Sequence, residues 1–329
     1  MQSPGRSPCA RTYRDDIFPC VATVLVSGAS GFIGSELAKS FARDGHHVAR
    51  LTRRASTSGK DSVAWNVERG WIDERALHAL APDIVVNLAG EPIAQRWSPA
   101  RKQAIRDSRV NGTGTLARAL AASPSHPRVF VSGSAIGYYG ADRGDEVLRE
   151  TSAPGSDFLA HTAMAWEGAT AAAAQAGIRV VISRTGVVLG RYGGAMARLL
   201  LPFRLGVGGR IGTGRHWMSW ISLEDAVRAL RFVAETPGIE GPVNLCSPDP
   251  VRSVDFTRAL GMSLHRPTIF PVPAFALKLV FGEMAAATIL ASQRVVPERL
   301  AGAGFEFRHP RLQEALEFEL RRSGGRDGR

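Results

Sequence analysis

The sequence predicts an α/β protein, with a doubly wound parallel sheet followed by a smaller C-terminal α+β lobe. Three observations carry that prediction. A β-branched run, Val21 to Ser27, ends in Gly28-Ala29-Ser30-Gly31-Phe32-Ile33-Gly34 and passes into helical spacing from Ser35 to Asp44. Runs of strand length then alternate with helical ones, the pattern of parallel strands joined by crossover helices. One of those strands, Ile84-Val85-Val86-Asn87-Leu88, is apolar on both faces, as a strand is when helices cover the sheet on either side.

Gly45 ends the first helix, as a C-terminal glycine does, and His47 to Thr52 is the second strand, which completes one βαβ unit. Further strands are expected at Ser62 to Asn66, Asp83 to Leu88, Arg128 to Ser132 and Ile178 to Ser183. Helices separate them at Asp73 to Leu80, Pro99 to Ala122 and Ala160 to Ala176. Beyond residue 190 the alternation weakens and glycine becomes frequent, from Gly190, Gly193 and Gly194 to Gly212 and Gly214. A loop-rich second region begins there, with helices expected at Leu223 to Glu235, Val254 to Met262, Ala274 to Leu290 and Leu312 to Arg321.

At 329 residues, 44% hydrophobic and 22% charged, the chain has ordinary globular composition and room for a large domain with an appendage. Cys9, Cys20 and Cys246 are too few and too scattered for a disulfide framework or a paired-cysteine zinc site, so a reducing cytoplasm and no metal are expected. The longest apolar stretch, Pro271 to Leu290, is broken by Lys278 and Glu283, so no membrane partner is expected. The first twenty residues lack the apolar core of a secretory signal, and Asp15 and Asp16 argue against an import peptide. A net charge of +11 raises nucleic acid as a ligand. The arginines are dispersed, however, with no aromatic-interleaved basic stripe, and composition plus an anionic small ligand explains them better.

Strand before and helix after make the glycine turn a dinucleotide signal, and thereby the sheet a Rossmann-type one. Gly28 permits the tight turn, Gly31 lets the backbone approach a pyrophosphate, and Gly34 lets helix and strand pack closely. The helix start at Ser30, Phe32 and Ile33 offers free N–H groups to the phosphates. Folds that take NAD carry a carboxylate at the end of the second strand to bond the ribose 2′-hydroxyl. This chain reads Thr52-Arg53-Arg54, and guanidinium groups suit a 2′-phosphate, so NADP is favoured over NAD. Asn66, ending the third strand, is placed for the adenine edge, and Leu88-Ala89-Gly90 for the adenosine ribose and phosphates.

These motifs resemble the extended branch of the short-chain dehydrogenase/reductase superfamily. Further segments resemble its epimerase family proteins: Leu88-Ala89-Gly90-Glu91-Pro92-Ile93, Arg106-Asp107-Ser108-Arg109-Val110-Asn111, Arg184-Thr185-Gly186-Val187-Val188-Leu189-Gly190 and Leu201-Pro202-Phe203. Gly282-Glu283-Met284 and Ser292-Gln293-Arg294-Val295-Val296-Pro297 resemble that subgroup's small C-terminal domain of unknown function. The resemblance spans roughly residues 21 to 320. The division that follows is a flexible leader over 1–20, an NAD(P)-binding domain over 21–190 to which parts of 215–250 return, a substrate lobe over 191–322 that includes the family domain near 265–320, and a disordered tail over 323–329. The resemblance implies that Asn111 is the helix asparagine that orders the active-site backbone. Arg109 is either a ligand of cofactor or substrate phosphate or a helix-surface arginine. The helix Pro99 to Ala122 serves either a homodimer interface or packing within one chain.

Relatives use a tyrosine four residues before a lysine to move a proton at the substrate oxygen. Counted from Trp166-Glu167, those positions fall on Leu159 and Ala163, and no lysine stands between Lys102 and Lys278. Ser134, in Ser132-Gly133-Ser134, matches the family's catalytic serine. Tyr138 and Tyr139 either supply a phenol to the same site or pack under the loop. His161 is either an acid/base or a helix-start surface residue, and Trp217 and Trp220 either wall a pocket or close a core. The reading is an NADP-dependent oxidoreductase or epimerase-like enzyme on a small molecule that lacks the usual Tyr–Lys pair. The alternative is a non-catalytic NADP(H)-binding sensor or scaffold.

Overall fold

A computed structural model gives the placement of residues 21–53 and 61–321. The first part of the chain runs through β1 (Thr23–Ser27), α1 (Phe32–Arg43), β2 (His47–Thr52), β3 (Ser62–Asn66), β4 (Trp71–Ile72), α2 (Glu74–Leu80), β5 (Ile84–Asn87), α3 (Pro99–Ala121), β6 (Val129–Ala135), β7 (Asp142–Leu148), α4 (Phe158–Gly168), α5 (Ala171–Gln175) and β8 (Arg179–Thr185). The rest comprises β9 (Val187–Leu189), α6 (Gly194–Arg204), β10 (Trp217–Met218), β11 (Trp220–Ser222), α7 (Leu223–Glu235), β12 (Gly241–Leu245), β13 (Val251–Arg252), α8 (Ser253–Leu264), α9 (Ala274–Phe281), β14 (Ser292–Val295), α10 (Glu298–Gly302) and α11 (Leu312–Arg321).

Eight strands form one sheet in the order β12-β8-β6-β5-β1-β2-β3-β4, parallel except for β4. The chain starts at β1, builds one wing through β2 to β4, then crosses back to β5 and builds the other. Its direction reverses between β1 and β5, and the carboxyl ends of those two strands bound the crevice where such sheets take ligands.

Period-two alternation fills both faces. Val24, Val26, Ile84, Val86, Val129 and Val131 pack under α1 and α7 against Leu37, Phe41, Leu230 and Val233. Their neighbours Leu25, Val85 and Phe130 face the other way, against Leu116 and Leu120 of α3 and Ala173 of α5. Each such fully buried side chain contributes about 1.5–3 kcal/mol, which is why these strands carry no polar face. A third core belongs to the lobe, where Met196, Leu200, Phe203 and Trp220 meet Phe256 and Leu260 of α8 and Leu312 and Leu316 of α11. Residues 215–250 are shared, since β12 extends the main sheet beyond β8 and α7 lies in the core under its first face.

Two helices differ from expectation. The segment Ala160 to Ala176 is not one helix but α4 and α5, because the Thr170 hydroxyl turns back on the Glu167 carbonyl at 2.7 Å and competes with the helical ladder. The helix over Ala274 to Leu290 stops at Phe281, where Gly282 takes φ +64°, and a π-helical turn at Ala285–Ile289 follows.

Candidate functional site

The crevice is built on close backbone approach. Gly28 adopts φ +66°, and the Gly31 N–H donates to its carbonyl at 2.8 Å. A β-carbon at Gly34 would stand 2.3 Å from the Gly28 carbonyl oxygen, one at Gly31 3.1 Å from the same atom, and one at Gly28 3.0 Å from the Leu88 backbone. Only glycines allow α1 to start this close to the ends of β1 and β5. Ser30 is exposed, Ile33 half-buried, and Phe32 lies against Gly190 and Gly193, whose β-carbons would stand 2.6 and 2.2 Å from its ring. The first turn of α1 holds no acidic residue and Gly31 offers no side-chain cap. Its N–H groups and the positive end of the helix are left to an anion.

A buried hydrogen-bond net ties the strand ends to the helices. Ser27 Oγ donates to Asn87 Oδ1 at 2.5 Å and accepts from the N–H groups of Leu88 and Ala89 at 3.0 and 3.1 Å. The Asn87 amide donates to Thr113 Oγ1, and so does Trp166 Nε1, each at 2.8 Å. Asn111 is exposed on α3 and is not part of this net. Two helix positions turn the side chain through about 200°, so Thr113 is the polar group aimed inward.

Arg109 sits beside Gly90, its guanidinium carbon 3.1 Å from where a β-carbon would be. It donates to the carbonyls of Glu91 and Ile105 at 3.0 Å each and lies 5.2 Å over the Trp166 ring. Burial pulls its pKa down to about 10, with the Glu91 carboxylate acting the other way, so at neutral pH it is a charged group fixed at the crevice edge. At the end of β2, Thr52 is half-buried and Arg53 extends into solvent, 3.8 Å from Glu91, which also faces Arg101 at 3.4 Å. Arg54 lies outside the described residues. Asn66 is partly committed, since its Oδ1 accepts from the Arg69 N–H at 2.9 Å and shapes the turn to β4. Its amide nitrogen is left to face an adenine.

The centre beyond β6 differs most from the sequence reading. Ser134 Oγ donates to Glu167 Oε1 at 2.7 Å. Arg184, on β8, clamps the same carboxylate through Nε at 2.9 Å and Nη2 at 2.8 Å. Its Nη1 donates to the Tyr139 hydroxyl at 3.2 Å and the Glu150 carbonyl at 3.1 Å. Burial works against this charge, but hydrogen bonding and attraction from Glu167, joined by Tyr139, raise the Arg184 pKa overall.

Tyr139 is not placed as a free acid. Tyr139 is fully buried and its hydroxyl donates to Asn244 Oδ1 at 2.7 Å, while the half-buried Tyr138 ring lies 3.4 Å under the Arg184 guanidinium. Tyr139 is a buried hydrogen-bond partner of Arg184, which corrects its reading as a catalytic candidate, while Tyr138 meets Arg184 through its ring. Leu159 packs against Gly137, Ala163 is buried, and His161 is exposed on α4, whose cap is Asp157. Glu167 and Arg184 were within reach of sequence reasoning as members of the quoted motifs, but only the fold brings them together.

Burial pushes the Tyr139 phenol up to about 12, against the lowering influence of Arg184. A folded-state pKa above the unfolded value of about 10 favours folding while the phenol keeps its proton. That contribution is complete below pH ~10 and lost as pH rises toward about 12. Equilibrium unfolding across this range should therefore show wild-type stability falling more steeply than that of Tyr139→Phe; parallel curves would contradict the buried phenol.

Trp220 closes a core, whereas Trp217 is half-buried among charged side chains. Trp220 is fully buried and donates to the Asp249 carbonyl at 2.9 Å, and Trp217 donates to Asp145 at 2.7 Å with the Arg252 guanidinium 4.0 Å over its ring.

Sheet order, switch point and glycine turn together define a Rossmann-like α/β protein whose fold matches that of short-chain dehydrogenase/reductase epimerases. Residues 24–246 match the NAD dependent epimerase/dehydratase family, and residues 272–319 match a domain of unknown function, DUF1731. The chain belongs to the NAD dependent epimerase/dehydratase family, among the epimerase family proteins. It is 44% identical over 304 residues to the epimerase family protein Mb2239 of Mycobacterium bovis, covering 92% of this chain and 99% of that one. To the epimerase family protein YfhF of Bacillus subtilis it is 36% identical, covering 89% and 96%. Among solved structures it resembles human epimerase family protein SDR39U1 with NADPH, with TM-score 0.81, 32% identity and coverage of 90% and 98%.

Proposed function

We propose that this protein binds NADP(H) in the crevice between β1 and β5 and acts as an NADP-dependent oxidoreductase or epimerase-like enzyme on a small molecule. The observation that carries this reading is the glycine turn, whose close backbone packing any β-carbon at Gly34 would break, together with Arg53 at the strand end where an NAD-binding fold carries an acid. The NADPH found with human SDR39U1 supports the same cofactor. Gly28 to Gly34 and the start of α1 would hold the pyrophosphate, Arg53 the 2′-phosphate, the Asn66 amide nitrogen the adenine, and Leu88 to Gly90 the adenosine ribose, with Arg109 adding a fixed cation beside them.

The nicotinamide, when bound, supplies or accepts a hydride. Ser134 already spends its hydrogen on Glu167, so it offers lone pairs to a substrate hydroxyl. In the oxidative direction the hydroxyl proton passes to Ser134 Oγ as the serine proton moves to Glu167. Arg184 and its partners hold that carboxylate in place. This dyad takes over the proton transfer that Leu159 and Ala163 cannot perform.

A non-catalytic NADP(H) sensor or scaffold is the second reading, favoured by those same apolar residues at the Tyr and Lys positions. Turnover separates the two. With NADPH and a panel of aldehydes and ketones, the wild type should oxidise NADPH, and Ser134→Ala should lower kcat by about a hundredfold or more with cofactor Kd nearly unchanged. Binding without oxidation across the panel would favour the sensor.

A further inference from the structure

The C-terminal lobe presents an apolar face that the crevice does not use. No residue of α9 is buried. Phe275 and Leu279, one turn apart on it, are 74% and 75% exposed, and Ile269 and Phe270, just before it, are 76% and 57% exposed. The segment after α6 runs alongside, since Arg266 Nε donates to the Arg204 carbonyl, the Val272 N–H to the Arg210 carbonyl and the Gly212 N–H to the Val272 carbonyl. It adds the exposed side chains of Leu205 and Val207. Single exposed apolar residues are ordinary, but six on two adjoining segments mark an interaction surface.

The charges on this face have one sign. Neither residues 168–223 nor residues 256–282 contain an aspartate or glutamate. Arg204, Arg210, Arg266 and Lys278 are exposed among the apolar side chains, and the flanking acids are engaged, Asp255 with Arg258 and Glu283 with Lys102. A second copy of the chain would set these cations against themselves. An anionic lipid surface offers what both kinds of side chain need, headgroup charge for the cations and an acyl boundary for Phe and Leu, with basic side chains long enough to reach outward.

We propose that this face of the lobe docks on an anionic bilayer and lies in its interface. None of the described helices is long and apolar enough to cross a membrane. The expectation of no membrane partner rested on the lack of a long apolar run, whereas a face assembled from two segments needs none.

Flotation of the full chain with phosphatidylglycerol–phosphatidylcholine vesicles, and with pure phosphatidylcholine vesicles, tests this. The wild type should float with the anionic vesicles alone, less so as salt rises. Phe275→Ser/Leu279→Ser should cut the bound fraction by about tenfold or more, and Arg204→Glu/Lys278→Glu should abolish it, while both variants keep the wild-type thermal unfolding transition. Failure of the wild type to float, undiminished flotation of the Phe275→Ser/Leu279→Ser variant, or equal flotation with neutral vesicles would overturn the proposal. So would a wild-type dimer in analytical ultracentrifugation that Phe275→Ser/Leu279→Ser converts to monomer without any lipid binding, because the face would then belong to a second copy.

Discussion

Replacing Arg184 with alanine is expected to lower stability by about 3–5 kcal/mol, the range found when one member of a buried ion pair is removed. Arg184 is 3% exposed and its carboxylate partner Glu167 is nearly enclosed. Its loss would leave that carboxylate with the Ser134 hydrogen bond as its remaining close partner and remove the guanidinium over Tyr138. The account also predicts a recovery. Arg184→Met combined with Glu167→Met removes both charges and should unfold at higher urea than Arg184→Ala. Urea unfolding of the wild type and the two variants reads this directly. A loss below ~1 kcal/mol for Arg184→Ala, the scale of an exposed pair, would mean that the network is not buried as described.

Gly34→Ala is expected to weaken NADPH binding by a hundredfold or more, about 2.7 kcal/mol. The added β-carbon would meet the Gly28 carbonyl oxygen at 2.3 Å and the Gly28 carbonyl carbon at 2.9 Å. Both are backbone atoms at a turn that cannot rotate away, so α1 must shift off β1 and carry its N–H groups with it. Gly45→Ala is the control. Its β-carbon meets nothing within 4 Å, but its φ of +85° makes it strained, so it should cost stability without changing cofactor affinity. Fluorescence titration with NADPH measures both, and equal affinity of Gly34→Ala and wild type would place the cofactor elsewhere.

The half of the fold that holds the crevice was legible because its physical demands are local. Close approach of α1 to β1 requires glycine at fixed spacing, and burial on both faces requires an unbroken apolar β5. Ser98 capping α3 with Pro99 in its first turn, and Ser222 capping α7 ahead of Glu224 and Asp225, mark helix starts in the residues themselves. Several of the remaining strands were not legible, because β9, β11 and β14 are only three or four residues long and β7 reads as a charged surface segment. Their pairing depends on partners far along the chain, as in Ser292 with Asp142.

The site divides in the same way. The cofactor side is written in contiguous motifs, whereas Ser134, Glu167, Arg184 and Tyr139 come from four elements. A family pattern pointed at Tyr138 and Tyr139 by proximity to Ser134, but a phenol's role depends on what surrounds it, and Arg184 and Asn244 surround Tyr139. Asn111 stands apart from the buried net for a simpler reason, since helix periodicity turns Thr113 toward Asn87 and leaves Asn111 outside.

The most direct test of the central claim is calorimetric titration of the wild type and Arg53→Ala with NADP and with NAD at one moderate salt concentration. The account predicts tight NADP binding, much weaker NAD binding, and a loss in Arg53→Ala confined to NADP. Equal affinity for the two cofactors, or an equal loss for both in Arg53→Ala, would contradict it.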